Sequence, residues 1–218
     1  MSKKTVKPEF KTGDTEKAEK SVSSYSESYL AFFNSIQSIY PISKTVKDAI
    51  VSATKEIQLP KGTILFKIGD VVSNAFFIAK GIARTFYYKN EKELTHSICS
   101  ENKIFTSATS FFTEQPSFEA GELIEDCTLI VISRQKIEKI SFQYPDLNYI
   151  MRRTGEFFYA DLDLRMYSLH MKTAKERYDH LMKTNPDYIL RVPLGYIASY
   201  LGMTQETLSR LRNGYGQT

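Results

Sequence analysis

The spacing of apolar residues along the chain changes twice, from a helical period to a strand period and back. Residues 1–24 are polar and lysine-rich, so we expect a mobile tail there, because they carry few apolar groups to bury. Apolar side chains in residues 25–39 recur at helical intervals and predict a helix. Ser43 follows Pro41 and is a suitable N-cap for a second, short helix.

The central part of the chain has the pattern of short strands. Gly62 and Gly69 interrupt runs of β-forming residues, and Asn90 marks a hairpin tip. Further strands are predicted within residues 76–81, 82–88, 94–98 and 123–132. Short strands at close spacing with glycine turns predict an antiparallel β-roll, or jelly roll.

Pro145 and Asp146 begin a helical stretch that reaches about Met171. At 1.5 Å per residue, roughly 26 residues give a helix near 40 Å long. Its broad apolar stripe contains Leu147, Ile150, Met151, Phe157, Phe158, Leu164 and Tyr167. An apolar stripe of this length is expected to be buried against another surface. Two surfaces are candidates: a second copy of the chain and the chain's own β-roll. Thr173 then caps a predicted helix that reaches Lys183.

Two short amphipathic helices are predicted near the C-terminus. The first places its apolar residues on one face, formed by Leu194, Ile197, Ala198 and Leu201. Gly202 allows the positive φ of a sharp turn, and Thr204 is a good N-cap for the second helix. The polar face of the second helix carries Gln205, Glu206, Ser209, Arg210 and Arg212. This arrangement is typical of a helix-turn-helix that recognises DNA.

The residue types on that polar face suit recognition of bases. Gln pairs with adenine, Glu accepts a hydrogen bond from cytosine, and Arg forms two bonds to guanine. Glu206 and Arg210 are four residues apart and therefore share one face, on which Ser209 is small enough to enter the major groove. Similar helix pairs also occur in all-α domains that bind no DNA, so this pattern alone leaves both interpretations open.

Residues 197–211 resemble the helix-turn-helix of the Crp/Fnr superfamily, the relatives of the catabolite activator protein. Residues 61–70, K-G-x-x-L-F-x-x-G-D, and residues 76–81, F-F-I-x-x-G, resemble the β-roll of cyclic nucleotide-binding domains. The resemblance implies an α+β protein with a β-roll sensor domain over residues 25–144, a long dimerisation helix over 145–172 and a DNA-binding domain over 173–218. It also implies DNA contacts by Thr204, Gln205, Glu206, Ser209, Arg210 and Arg212. Gln205 stands where the family commonly has Arg, which implies an altered target sequence.

The predicted effector pocket departs from the family. Its cyclic-nucleotide binders hold the phosphate with Gly-Glu and, about ten residues later, Arg and a small residue. The matching positions here hold Ser107 and Ala108, then Phe118 and Glu119. Because Glu119 would repel a phosphate, we expect no cAMP or cGMP binding of the usual kind. Together with Phe105, these residues either form a pocket for another, neutral or apolar molecule or simply fill the barrel.

Composition narrows the function only slightly. The chain is 42% hydrophobic and 25% charged, and its net charge of +4 permits nucleic-acid binding without requiring it. No apolar run approaches the roughly 18 residues of a membrane span. The N-terminus also lacks the apolar segment of a secretory signal, so a cytoplasmic location without a membrane partner is expected. Cys99 and Cys127 are too few for a four-cysteine iron–sulfur cluster, and the three histidines show no ligand spacing, so no metal or other cofactor is expected.

Together with these patterns, the resemblance to the Crp/Fnr superfamily implies a homodimeric transcription regulator that reads a near-palindromic operator and has no enzymatic activity. Double-stranded DNA and a second copy of the chain are the expected partners, with RNA polymerase and an unidentified small-molecule effector as further candidates. One alternative is a ligand-binding module that regulates a partner protein without specific DNA binding. Another is a cupin-type metalloenzyme, which would require clustered His and Glu ligands.

Overall fold

The computed structural model describes residues 25–214, so the predicted tail over residues 1–24 lies outside the described residues. The helices are α1 (Glu27–Gln37), α2 (Lys44–Ala53), α3 (Ala108–Thr113), α4 (Arg134–Gln143), α5 (Pro145–Met171), α6 (Ala174–Thr184), α7 (Tyr188–Arg191), α8 (Leu194–Tyr200) and α9 (Gln205–Gly214). The strands are β1 (Lys55–Leu59), β2 (Ile64–Phe66), β3 (Asn74–Lys80), β4 (Ala83–Lys89), β5 (Lys92–Cys99), β6 (Ile104–Phe105), β7 (Ala120–Leu123) and β8 (Cys127–Ser133).

The strands form two four-stranded antiparallel sheets, which confirms the predicted β-roll. Their strand orders are β1-β8-β3-β6 and β2-β7-β4-β5. Apolar side chains from the two sheets meet between them, as where the rings of Phe66 and Phe105 lie 5.7 Å apart. The predicted hairpin between β4 and β5 is also present, and its tip residues Asn90 and Glu91 both have positive φ.

One predicted strand is wrong in its extent. Residues 123–132 do not form a single strand, because β7 ends at Leu123 and β8 begins at Cys127 in the other sheet. The polar pair Glu125 and Asp126 interrupts the apolar run, and the Asp126 carboxylate accepts a hydrogen bond from the Lys61 backbone at 2.8 Å. The chain therefore changes sheets at these two acidic residues.

The N-terminal helices cover the outside of the β-roll. The predicted N-cap Ser43 is present, since its Oγ accepts from Val46 N, and Ser26, which was not predicted, caps α1 by accepting from Tyr29 N. Phe32 and Phe77 of β3 bring their rings within 4.7 Å. Helices α3 and α4 were not predicted: after Ala108, α3 consists of Thr, Ser and Phe, which favour strands or turns over helices.

Helix α5 has the predicted bounds and length, and the two halves of it differ in burial. Leu147 and Ile150 are buried against the N-terminal helices and β-roll. Farther along, Phe157, Leu164 and Met171 are 53%, 66% and 69% exposed. The first turns therefore pack on the β-roll of the same chain, while the rest of the stripe stays in contact with solvent.

The C-terminal helices share a hydrophobic core with the β-roll. Helix α6 begins with a capping box, in which Thr173 and Glu176 each bond the other's backbone N–H. The predicted core residues Tyr178 and Leu181 are buried. They join a cluster with apolar β-roll residues and the two last helices, containing Ile82, Ile98, Ile124, Tyr188, Val192, Ile197, Ala198, Leu201 and Leu208. The C-terminal helical unit is thus packed onto the β-roll and not joined to it by a linker alone.

Candidate nucleic-acid interface

Helices α8 and α9 form the predicted helix-turn-helix. Gly202 has φ of +64° between them, and Met203 N donates to the Ala198 carbonyl at 3.0 Å. Thr204 caps α9, since its Oγ1 accepts from Thr207 N at 3.2 Å. Leu208 is fully buried and anchors α9 against α8 and α6. The apolar spacing of the sequence is therefore sufficient to place both helices.

The predicted base-reading residues lie together on the open side of α9. Thr204, Gln205, Glu206, Arg210 and Arg212 are exposed, and Ser209 is half-buried. A hydrogen bond from its own backbone N–H, one from the Thr204 hydroxyl and the charge of Arg210 lower the pKa of Glu206. Glu206 is therefore an ionised acceptor at neutral pH, and Arg210 and Arg212 are exposed on the same helix.

Two arginines that the sequence did not single out hold the turn between these helices. Arg177 of α6 donates from Nε to the Leu201 carbonyl at 2.6 Å and from Nη2 to the Gly202 carbonyl at 3.2 Å. Arg165 of α5 donates to the Tyr200 carbonyl at 2.9 Å. These guanidinium groups satisfy carbonyls that the end of α8 leaves open. The end of the long helix is thereby bonded directly to the helix-turn-helix.

The predicted effector residues do not line one common cavity. Phe105 is buried in the core of the β-roll, and Ala108 begins α3. Ser107 is buried and accepts a hydrogen bond at 2.9 Å from Ser117, which also bonds the backbone of Glu119. The two ends of residues 107–119 are therefore linked to each other through the Ser117 hydroxyl.

Phe118 and Glu119 lie at the edge of a concave surface. Phe118 is 49% exposed and lines a cavity of about 450 Å³ with Tyr87, Tyr88 and His96. The Glu119 carboxylate is buried and lies 2.7 Å from His96 Nδ1. A carboxylate–imidazole pair therefore stands beside the position where the family's cyclic-nucleotide binders carry an arginine. The sequence identified Glu119 as a departure but gave no sign of its histidine partner.

Among residues 25–214, no group of three or more His, Cys, Asp or Glu side chains is placed to hold a metal ion. Within the same residues, no helix combines the length and the apolarity needed to cross a membrane. Burial raises the pKa of the Cys99 and Cys127 thiols to about 11, so both are protonated at neutral pH.

Comparison with known proteins gives matches over most of the chain. Residues 56–144 match the cyclic nucleotide-binding domain family. The anaerobic regulatory protein of Bacillus subtilis is 24% identical over 177 residues, which are 80% of this chain and 63% of that protein. The matched part thus spans less than two thirds of that relative. The transcriptional activator protein anr of Pseudomonas aeruginosa is 26% identical over 195 residues, covering 81% of this chain and 78% of that protein.

Solved structures show the same fold. FixK2 from Bradyrhizobium japonicum superposes with a TM-score of 0.64 at 18% sequence identity, covering 74% of this chain and 83% of FixK2. The order of β-roll, long helix and C-terminal helices is therefore a known architecture.

Proposed function

We propose that the chain is a transcription regulator of the Crp/Fnr superfamily that binds a near-palindromic DNA site as a homodimer and reads it with α9. The observation that carries this proposal is the placement of Gln205, Glu206 and Arg210 on the exposed face of a capped helix. The opposite face of that helix is anchored by the fully buried Leu208. A short helix held in this way can enter a major groove about 12 Å wide.

The exposed stripe of α5 supports the homodimer. Phe157, Leu164 and Met171 recur every seven residues, the repeat of helices that pair along their length, and all three are exposed. A second copy of α5 is the partner that this repeat fits, because the same residues can then face each other across a two-fold axis. Such a dimer is expected to present two α9 helices about 34 Å apart, one helical turn of DNA.

The chemistry around Glu119 supports regulation that does not depend on cAMP. A cyclic phosphate at this position would meet a carboxylate, which repels it, and Phe118 offers no positive charge. We propose that any effector is a neutral or apolar molecule that binds beside Phe118 and Glu119, whereas Phe105 and Ser107 are buried within the β-roll and Ala108 begins α3. As a regulator of transcription, the protein would act in the cytoplasm with RNA polymerase as a further partner, and it would not be an enzyme.

Selection of bound sequences from a random duplex library tests the proposed function. The expected result is enrichment of a site with two-fold symmetry whose half-sites are centred about 10–10.5 base pairs apart. Failure to enrich any sequence, combined with a stable complex with another protein, would favour the alternative of a protein-interaction module. Calorimetry with cAMP tests the effector proposal separately, and micromolar binding would contradict it.

A further inference from the structure

A buried arginine of the β-roll contacts the helix-turn-helix directly. Arg84 of β4 is 0% exposed, and its Nε and Nη2 donate to Glu122 Oε2 at 3.0 and 2.7 Å. Nη2 also donates to Glu93 Oε2 at 2.5 Å. The guanidinium carbon lies 3.5 Å from the ring centroid of Tyr196 in α8, within the range of a cation–π contact.

A second arginine, which belongs to the C-terminal helices, contacts the β-roll. Arg191 at the end of α7 binds two carboxylates at once. It donates from Nη1 and Nη2 to Glu101 at 3.0 and 2.6 Å, and from Nε and Nη2 to Glu125 at 3.0 and 2.6 Å. Paired bonds of this kind fix orientation as well as distance, since the guanidinium group and each carboxylate are planar.

Further contacts lie near these two arginines. The backbone N–H of Thr95 in β5 donates to Ser199 Oγ in α8 at 2.8 Å. Tyr188 donates its hydroxyl to the Ile98 carbonyl at 3.1 Å, and burial raises the pKa of this tyrosine to about 12. These hydrogen bonds, the contact of Arg84 with the Tyr196 ring, the ion pairs of Arg191 and the shared apolar cluster join α7 and α8 to the β-roll, and we call them together the docking surface.

The docking leaves the face proposed to read DNA open. Glu206 and Arg210 are exposed while α8 is held against the β-roll. On the other side, Arg165 and Arg177 hold the turn after α8. The helix-turn-helix is therefore fixed from two directions without being covered.

From this geometry we propose that Arg84 and Arg191 are positioning residues for DNA recognition. They hold α7 and α8 on the β-roll and so set the orientation of α9, and hence the distance between the two α9 helices of a dimer. The inference rests on the proposed function and adds the β-roll to the long helix as a determinant of half-site spacing. It also links β5 to α8 through the hydrogen bond between Thr95 and Ser199. Strand β5 carries His96, which lines the cavity beside Phe118.

The test uses Arg191→Gln and Tyr196→Leu in the full chain. Arg191→Gln removes both charge pairs, and Tyr196→Leu removes the ring stacked on Arg84 while keeping an apolar side chain. Arg134→Gln is the matched control, because the Arg134 side chain is about as accessible as that of Arg191, pairs with Glu114, and forms no hydrogen bond or ion pair with α7 or α8 in the described part of the chain. Affinity is measured for the selected duplex and for duplexes with one base pair added or removed between the half-sites.

We expect the two docking variants, Arg191→Gln and Tyr196→Leu, to bind the selected duplex about tenfold more weakly. The difference in affinity between duplexes of correct and altered spacing should also be smaller for these variants. Amide hydrogen exchange in α8 of the DNA-free protein should also become faster. Arg134→Gln should leave all three readouts unchanged. A purely structural role would lower the melting temperature of the docking variants without changing their spacing preference, and that result would overturn the inference.

Tighter DNA binding by the docking variants would also overturn it, because the contacts would then restrain the protein from binding. Failure of the unmodified protein to bind any duplex would instead count against the proposed function. In that case the hydrogen exchange of α8 still decides whether Arg191 and Tyr196 hold the unit in place. Unchanged exchange in both variants would overturn the inference regardless of the DNA result.

Discussion

The guanidinium carbon of Arg84 lies 3.5 Å from the ring centre of Tyr196, although 112 positions separate the two residues in the sequence. Arg84 is fully buried, and its charge is balanced by Glu122 and Glu93. A buried ion pair of this kind is costly to break from one side, because the remaining charge stays in a medium that solvates it poorly. The contact between the β-roll and the helix-turn-helix therefore also contributes to the free energy of unfolding.

Replacement of Arg84 by Ala should lower the free energy of unfolding by about 3–5 kcal/mol, since it removes the group that neutralises Glu122. Replacement of both partners, Arg84→Met with Glu122→Leu, should cost less than the single change. Urea denaturation of the two variants and the unmodified protein measures the difference. A double variant less stable than Arg84→Ala would contradict this explanation.

Gly81 lies at a point where the chain has no room for a side chain. Its φ is +101°, and a Cβ there would lie 2.4 Å from Cys127 Sγ and 2.8 Å from the Asp126 carbonyl oxygen. Gly69 is a natural control, because its φ is +89° but a Cβ would meet nothing within 4 Å.

Gly69→Ala should therefore cost roughly 1–2 kcal/mol, the penalty of a left-handed residue. Gly81→Ala should cost about 2–5 kcal/mol, because overpacking adds roughly 1–3 kcal/mol to the same penalty. Thermal and urea unfolding of both variants measure these costs. Equal destabilisation would show that the neighbours of Gly81 yield to the added methyl group.

The heptad on α5 predicts how the proposed dimer can be separated into monomers. Leu164→Glu should give a monomer, because it places two carboxylates against each other at the proposed two-fold axis. Phe142→Glu on α4 is the control, since Phe142 is 93% exposed and lies off the heptad. Light scattering after size-exclusion chromatography gives the mass of each variant. A dimer that survives Leu164→Glu would contradict pairing through this face.

Acid should weaken the docking surface through Glu101. Partial burial opposes ionisation of this carboxyl, but hydrogen bonds from Arg191 and the Gly81 backbone outweigh it and lower its pKa to about 2, from an ordinary value of 4.5. Because the pKa is lower in the folded state, the pair's contribution to stability is fully present above pH 4.5 and is lost as the pH falls toward 2.

The free energy of unfolding should therefore fall more steeply between pH 4.5 and 2 for the unmodified protein than for Glu101→Gln. Urea denaturation at a series of pH values measures both slopes. Equal slopes would show that Glu101 takes no part in the acid sensitivity.

The features that could be predicted from the sequence are those encoded over short distances. The spacing from Leu194 to Leu208 places α8 and α9, and Gly202 and Thr204 mark the turn, because each signal acts within a few residues. The bounds of α5 follow in the same way from Pro145 and its long apolar stripe.

The docking surface could not be predicted, because its partners are distant in the sequence. Arg84 and Glu122 look like ordinary solvent-exposed residues until β4 and β7 pair, and nothing near Tyr196 indicates a guanidinium above its ring. The same holds for Glu119, whose departure from the family pattern is visible in the sequence while its contact with His96 is not.

Arg210 should contribute to sequence discrimination and not only to overall affinity. Arg210→Ala is expected to weaken binding to the selected duplex by about 1–3 kcal/mol and to relax the preference at one base pair of each half-site. Fluorescence anisotropy with a set of single-base variants of the duplex measures both effects. An equal loss on every duplex would assign Arg210 to the phosphate backbone.

The most direct test of sequence-specific DNA binding is the ratio of two dissociation constants, measured for the unmodified protein at one physiological salt concentration. One is for the duplex obtained by selection, and the other is for a scrambled duplex of the same length and composition. We predict a ratio of about 10³ or more in favour of the selected duplex. A ratio near one would contradict the account, because α9 would then bind DNA without reading its sequence.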